Sequence, residues 1–466
     1  MKKQTIDRAK TLLKNARSFF NSYTFYIFQT LLACVIVALK MEVLGVICFI
    51  GLLCVLLIVC DDILPTTLPF LLVCAFSTNC YDSFNTFIGY AIYAPVVVSA
   101  FLCHYIIYFK GFKGGKSVEG ICAVSIAVLL GGIGNFSLLE YIKGGYYILG
   151  LGVGMLGAYF LMKSEFSVYR SYDIKHRFAV IMSLLGFFCV ALITIGYARK
   201  TLGLSWEIQG ERPFSPNNIA TLLMFCMPFP IYLSKKKEAW ALGTILIYGG
   251  ICLTYSRGGL LFGGVEFIVC VIFWILLGRN RKKKIICVAI VGAVAFAPLC
   301  IAVISVVKDR FTAENLVGST RWVMIFEALE RFWKNPLFGS GILDNTISYG
   351  GYKKAGAMAW YHMMIPQIIG SMGLVGVVAY LWQGIQRGRM VFCKKDAWGF
   401  ALGISYLGIL LMSQVNPGEF CPIPFELLTV LLFIFQENRL ETPQNAEFVR
   451  LNGKIVDKYG ARCYNK

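Results

Sequence analysis

Three arginines and one histidine carry the chemistry that this chain can be asked to do: Arg212, Arg257, Arg321 and His362. A guanidinium is a planar fork that binds phosphate oxygens in pairs, and it never loses its charge. An imidazole with an ordinary pKa of about 6.5 can take a proton from a hydroxyl near neutral pH. Together they could stabilise a departing diphosphate while a hydroxyl attacks. Each sits at the edge of an apolar run or in the longest polar interruption. Arg212 opens Arg212-Pro213-Phe214-Ser215-Pro216-Asn217-Asn218-Ile219-Ala220, where Asn217 can cap an incoming helix. Arg257 lies in Thr254-Tyr255-Ser256-Arg257-Gly258-Gly259, and Arg321 in Thr320-Arg321-Trp322. His362 starts an apolar run directly after the long interruption. The plain reading of any one of these is a solvated or headgroup-paired charge, or a structural histidine. Their company is what raises the functional reading.

The elements that must position them are membrane helices. Apolar residues make up 58% of the 466 and charged residues 15%, far from a soluble chain. Runs long enough to cross about 30 Å of hydrocarbon recur at 24–39, 43–60, 65–80, 86–109, 120–138, 146–162, 178–198, 218–233, 239–254, 257–277, 285–307, 360–385, 397–414 and 422–436. The expected fold is an all-α polytopic membrane protein of about fourteen transmembrane helices. Both termini are expected in the cytoplasm, because that placement puts most of the 44 Lys and Arg inside, including Lys235 to Lys237, Arg281 to Lys284 and Lys394-Lys395. The net charge of +19 then speaks of topology and anionic lipid rather than nucleic acid. Residues 1–20 read as a basic amphipathic helix on the inner surface, and 21–436 as the transmembrane domain. Residues 308–359 read as an extracytoplasmic loop carrying the chemistry, and 437–466 as a polar cytoplasmic tail.

Several other signals are weaker. The 17 cysteines form no CxxC pair and mostly sit in apolar runs as small hydrophobes; only Cys80 and Cys421 are placed to pair outside. Gly152-x-Gly154-x-x-Gly157 lies inside a span with no preceding strand, so close helix packing outweighs dinucleotide binding. Gly115-Lys116-Ser117 lacks the first glycine of a phosphate loop. His104 and His176 have no ligand-spaced partners, so no metal site or cofactor is expected. Glu266 and Glu426 are intramembrane acids, equally readable as site residues or as interhelical hydrogen bonds. Trp322, Trp333, Trp360, Tyr349, Tyr352 and Tyr361 could stack on sugar rings or belong to the interfacial aromatic belt.

The order Arg-x-x-x-Pro-Asn-x-Ile-Ala, then Ser-Arg-Gly at a span start, then Thr-Arg-Trp, Asn-Pro-x-x-Gly-x-Gly and a span-start His resembles the O-antigen ligase and Wzy-type polymerase family over residues 200–385. The family's histidine is often followed by Asn, whereas Met363 and Met364 follow here. The resemblance implies a GT-C-type glycosyltransferase of the bacterial cytoplasmic membrane with an outward-facing site. It implies transfer of undecaprenyl-diphosphate-linked glycan to a glycan or glycolipid acceptor, without metal or nucleotide sugar. Polymerase is preferred to ligase. Membrane lipids and other polysaccharide assembly proteins are the implied partners. The resemblance carries the catalytic role to His362, Arg321 and Arg257 and substrate binding to Arg212, while Asn217, Trp322 and Tyr361 are read as further binding residues. Glu330 or Asp344 could orient the imidazole. A transporter or flippase of lipid-linked oligosaccharide is the alternative, and a non-enzymatic scaffold or a cell-wall glycan polymerase are further ones. A transporter predicts internal repeats with paired broken helices, and no such repeat is evident.

Overall fold

A computed structural model describes residues 2–80, 91–109, 111–133, 145–166, 174–201, 216–277, 280–290, 320–342, 361, 363–416, 418–441, 448–451 and 454–457. The first half holds α1 (Lys2–Phe20), α2 (Tyr23–Ala38), α3 (Glu42–Val59), α4 (Leu64–Cys80), α5 (Ala94–Tyr108), α6 (Val118–Leu130), α7 (Gly145–Leu151), α8 (Val153–Phe166) and α9 (Ile174–Thr201). Next come α10 (Pro216–Cys226), α11 (Pro228–Leu233), α12 (Ala241–Leu253), α13 (Arg257–Leu276) and α14 over 281–290. Then follow α15 (Thr320–Lys334), α16 (Met364–Cys393), α17 (Ala397–Met412) and α18 (Leu427–Glu441).

Among the described residues, four helices are long and apolar enough to cross a membrane: α3, α9, α13 and α16. The bent pair α1–α2, with 61° between its arms, makes a fifth candidate. Other apolar runs are broken by identifiable residues. The run at 218–233 divides at Met227, where Pro228 has no N–H to continue the ladder, and the run at 146–162 divides at Gly152. Around the buried core, large apolar side chains such as Ile92, Ile106, Leu242 and Ile268 point outward. A hydrocarbon solvent explains that exposure better than water does.

Polar contacts gather at two opposite ends of the helices. One end joins Arg17 to the Val59 carbonyl and Tyr108, Arg177 to Asn21, Lys163 to Glu437 and Glu441, and Arg439 to Asp396. The other joins Arg199 to Glu42, Tyr197 to the Leu253 carbonyl, Ser256 to Asn217 and Asn335 to the Ile133 carbonyl. In each case the two partners are span ends, or loops beside them, that strict alternation puts on the same side.

The described residues differ from the expected pattern in three places. A two-stranded antiparallel hairpin, β1 (Phe448–Leu451) with β2 (Lys454–Asp457), is added to the otherwise helical chain. The last helix continues to Glu441 with Glu437, Asn438 and Arg439 buried, so these residues belong to the bundle. The helix expected at 360–385 runs from Met364 to Cys393, which takes Arg387 out of the expected inner loop and into the core.

The most consequential local feature is a break in α16. Gly373 has φ +58°, a left-handed conformation that costs glycine little and a residue with a Cβ more. An unbroken helix would bond the N–H groups of residues 374 and 375 to the carbonyls of 370 and 371. Instead, Leu374 and Val375 donate to the carbonyls of Pro336 and Leu337, at 2.8 and 3.1 Å. The carbonyls of Gly370 and Ser371 accept from Ser340 and Gly341, both at 2.9 Å. The Asn335-Pro-Leu-Phe-Gly-Ser-Gly341 segment therefore supplies the partners that both halves of the broken helix need. A Cβ at Gly339 would stand 2.6 Å from the Met372 nitrogen, and one at Gly373 would stand 2.6 Å from the Pro336 oxygen.

Candidate functional site

Arg257 is placed by a helix start. Ser256 caps α13, its Oγ accepting from the Gly259 N–H at 3.0 Å. The same hydroxyl donates to Asn217 Oδ1 at 2.7 Å, which ties the start of α10 to the start of α13. Tyr255 turns the chain into the cap through a left-handed φ of +53°. Arg257 is thus the first helical residue, half-buried, where the helix dipole adds to its own attraction for anions. Gly258 and Gly259 follow because there is no room for more. A Cβ on Gly258 would meet Val415 Cγ2 at 2.5 Å, and one on Gly259 would meet Ala220 Cβ at 2.8 Å.

Arg321 comes from the other direction, in the first turn of α15. Its Nη2 donates to the Val415 carbonyl at 3.0 Å. Arg321 and Gly258, the neighbour of Arg257, therefore both stand against one short segment, residues 413–416, which follows α17. The Ser413 carbonyl in that segment accepts from the Met364 N–H at 2.7 Å, at the start of α16. Asn416 Nδ2 donates to Asn218 Oδ1 at 3.2 Å. The segment consequently touches α10, α13, α15 and the start of α16.

Helix α15 has two faces. Met324 and Ala328 pack with Tyr361 and Met363 in a small buried cluster. The other face exposes Trp322, Phe326 and Trp333, spaced four and seven residues apart. Trp322 is 52% exposed and available to a ligand. Tyr361 is fully buried, with its N–H donating to Gln367 Oε1 at 3.1 Å, which removes it from the residues able to stack on a sugar. Its ring serves instead to seat α15 on α16.

Arg212 and His362 lie outside the described residues, as do Asp344, Tyr349, Tyr352 and Trp360. Glu330 is exposed and paired with Lys334 at 2.7 Å, and that pairing holds its carboxyl below the usual range. The acid that does stand near the start of α16 is Glu327, bonded to Arg331 at 3.1 Å and felt electrostatically by Tyr361. One turn before Glu330 on the same helix, it gave no separate signal in the sequence.

The remaining candidates are packed within the helix bundle, and neither carboxylate oxygen of Glu266 has a hydrogen-bond partner among the described residues. Glu266 is fully buried against Gly408, where a Cβ would come within 2.4 Å of the carboxylate. Glu426 pairs with Arg387 at 3.0 Å. His104 is fully buried with Nδ1 2.7 Å from the Leu57 carbonyl oxygen, and His176 meets Tyr23 edge-on. Gly152 sits 3.6 Å, by its would-be Cβ, from the backbone of Ser125, in line with close helix packing. The Ser117 N–H that a phosphate loop would offer to a ligand is bonded to Glu437. Among the described residues no three His, Cys, Asp or Glu side chains are grouped as metal ligands.

Sequence reasoning passed over residues 413–420, Ser-Gln-Val-Asn-Pro-Gly-Glu-Phe. The available signal was a turn-forming Asn-Pro-Gly with an acid beside it, directly after an apolar run. Gly418 has φ +51°, and a side chain there would collide with Ser413.

With this geometry in hand, one comparison is informative. Residues 242–381 match the family model described as O-antigen ligase, a stretch that runs from α12 through Arg257, Arg321 and position 362 into α16. No curated protein and no solved structure matches the chain.

Proposed function

Since residues 242–381 place this chain in the O-antigen ligase and Wzy-type polymerase family, we propose that it transfers glycan from an undecaprenyl diphosphate donor to a sugar hydroxyl. The observation that carries this reading is that Val415 accepts from Arg321 and packs against Gly258, which brings the helix start bearing Arg257 beside the one bearing Arg321. Two guanidinium groups at one place suit the two phosphates of a lipid diphosphate, whose charge grows as the glycosidic bond breaks.

In the proposed reaction the acceptor hydroxyl attacks the anomeric carbon and inverts it. The bond from that carbon to the diphosphate oxygen breaks, and the lipid diphosphate leaves with the electron pair. His362 takes the proton released by the attacking hydroxyl. Arg257 and Arg321, joined by Arg212, hold the diphosphate, doing with fixed cations what a metal does in other phosphoryl sites. Asn217 acts through Ser256 by fixing the first turn of α13. Trp322 offers a ring face to a sugar at the Arg321 end of α15.

The chain is proposed to cross the membrane about fourteen times with both termini inside. The pairing of same-side ends in the two polar belts agrees with alternation of the spans. The arginine belt then faces outward from the bacterial cytoplasmic membrane, where lipid-linked repeats are presented. Polymerisation of such repeats is preferred to ligation onto a different acceptor.

The test is the glycolipid profile of membranes carrying wild type or His362→Ala at equal protein level. The expected result is accumulation of lipid-linked repeat on the outer face with loss of long polymer. Unchanged polymer removes the histidine from the reaction, and accumulation on the inner face alone replaces the transferase reading with transport.

A further inference from the structure

Deep in the bundle, Arg387 of α16 stands between two carboxylates. Nη1 donates to Glu419 Oε2 at 3.2 Å and Nη2 to Glu426 Oε1 at 3.0 Å. All three side chains are buried, and the guanidinium also lies over the rings of Tyr406 and Phe433, at 5.5 and 5.1 Å. A buried ion triad is weak evidence for stability, because removing charges from water costs about as much as their attraction returns. Its placement in the chain is more telling. Glu426 belongs to the turn that opens α18, whereas Glu419 lies in the short turn Gly418–Phe420 and is bonded back to Ser413, two residues from the carbonyl that holds Arg321.

The connection is short and every link is a hydrogen bond. Glu419 is held by Arg387, and its N–H donates to Ser413 Oγ at 3.1 Å. The Ser413 carbonyl receives the Met364 N–H, two residues beyond His362, and the Val415 carbonyl receives Arg321. Phe420 is stacked on Tyr380 of α16 at 5.3 Å, which fixes the same segment from the neighbouring side. Arg387 lies outside residues 242–381, as does the whole of 413–421.

We propose that Arg387 is a positioning residue for the transfer reaction, acting through Glu419 to set the Ser413 and Val415 carbonyls that aim the start of α16 and Arg321. The inference rests on the transferase reading and adds to it the device that orients the arginine. The second carboxylate has a use in this scheme. Glu426 holds the guanidinium plane in place, so that its other edge is presented to Glu419 in one orientation.

The test compares wild type with Glu419→Ala and Glu419→Gln as full-length protein in vesicles, with lipid-diphosphate glycan extracted from cells lacking this chain as the donor probe. Glu419→Ala cuts the tether but leaves Arg387 a one-to-one pair with Glu426, so no buried charge is stranded. It is expected to melt near the wild-type temperature, to lose about 10- to 100-fold in kcat, and to keep its donor KM within about threefold. Glu419→Gln retains an acceptor oxygen and is expected to recover part of the rate. A merely structural role would lower the melting temperature without this split. Wild-type kcat in Glu419→Ala overturns the proposal, as does a loss confined to KM. If Glu419→Ala does not accumulate, Arg387→Lys takes its place, since an ammonium cannot reproduce the fork across both acids. The same fall in kcat is expected, and an unchanged kcat overturns the proposal. A wild-type protein that turns over no lipid-linked glycan defeats the transferase reading itself, a result distinct from all of these.

Discussion

Lys163 and Arg439 at one polar end of this bundle and Arg321 at the other are held by different kinds of acceptor. At the end bearing α1, Lys163 is spent on Glu437 at 3.0 Å and Glu441 at 2.8 Å, and Arg439 on Asp396 and the carbonyls of Met390 and Lys394. At the other end Arg321 donates to the Val415 carbonyl, while Arg199 is paired with Glu42 at 3.0 Å. The comparison teaches that a carboxylate partner both places a cation and offsets its charge, whereas a carbonyl partner places it and adds no countercharge.

The comparison can be broken at either end. The largest expected effect is Lys163→Met, which strands the buried Glu437 carboxylate and should cost about 3–5 kcal/mol of stability, read as a lower melting temperature with unchanged activity per folded molecule. Arg321→Ala and Arg257→Ala should do the reverse, each lowering transfer by about 10²- to 10³-fold while the protein melts normally. Normal product from either removes the diphosphate clamp. Arg321→Lys should keep the charge and lose the fork, with about a tenfold fall in kcat. Near-wild-type activity there would mean that simple attraction suffices. The smallest effect is expected from Glu330→Gln on the exposed face of α15. Its carboxyl is held low by Lys334, so whatever the pair adds is present above the ordinary carboxylate range and lost as pH falls through the depressed value. Melting curves of the variant and wild type should coincide at neutral pH.

Much of the helix pattern was legible because apolar runs announce themselves locally. The runs at 43–60, 257–277 and 397–414 become helices within a few residues of their expected limits. Arg257 and Asn217 were legible as helix-start residues for the same reason. What joins them was not, since the Ser256–Asn217 bond crosses 39 positions of sequence. Tyr361 shows the converse failure. An aromatic beside a long loop reads the same whether it faces a ligand or fills a core, and only packing against Met324 and Ala328 decides it. Arg387 was assigned to a loop because charge counts against a span. Two acids from later in the chain make its burial tolerable, and no local window contains them. The glycines of Asn335–Gly341 were visible as a motif, but their purpose needed Gly373, over thirty residues away, to be seen beside them.

The insertion of that segment into the gap of α16 has a consequence for how such a protein can diversify. Residues 335–341 are clamped onto α16 on one side, and Tyr361 is clamped to Gln367 on the other. The intervening sequence begins and ends at anchored points that do not depend on its content. Substitutions or changes of length within it leave the hydrogen bonds of both anchors in place, so the sequence between them is the part of this region that can vary without unpicking α16.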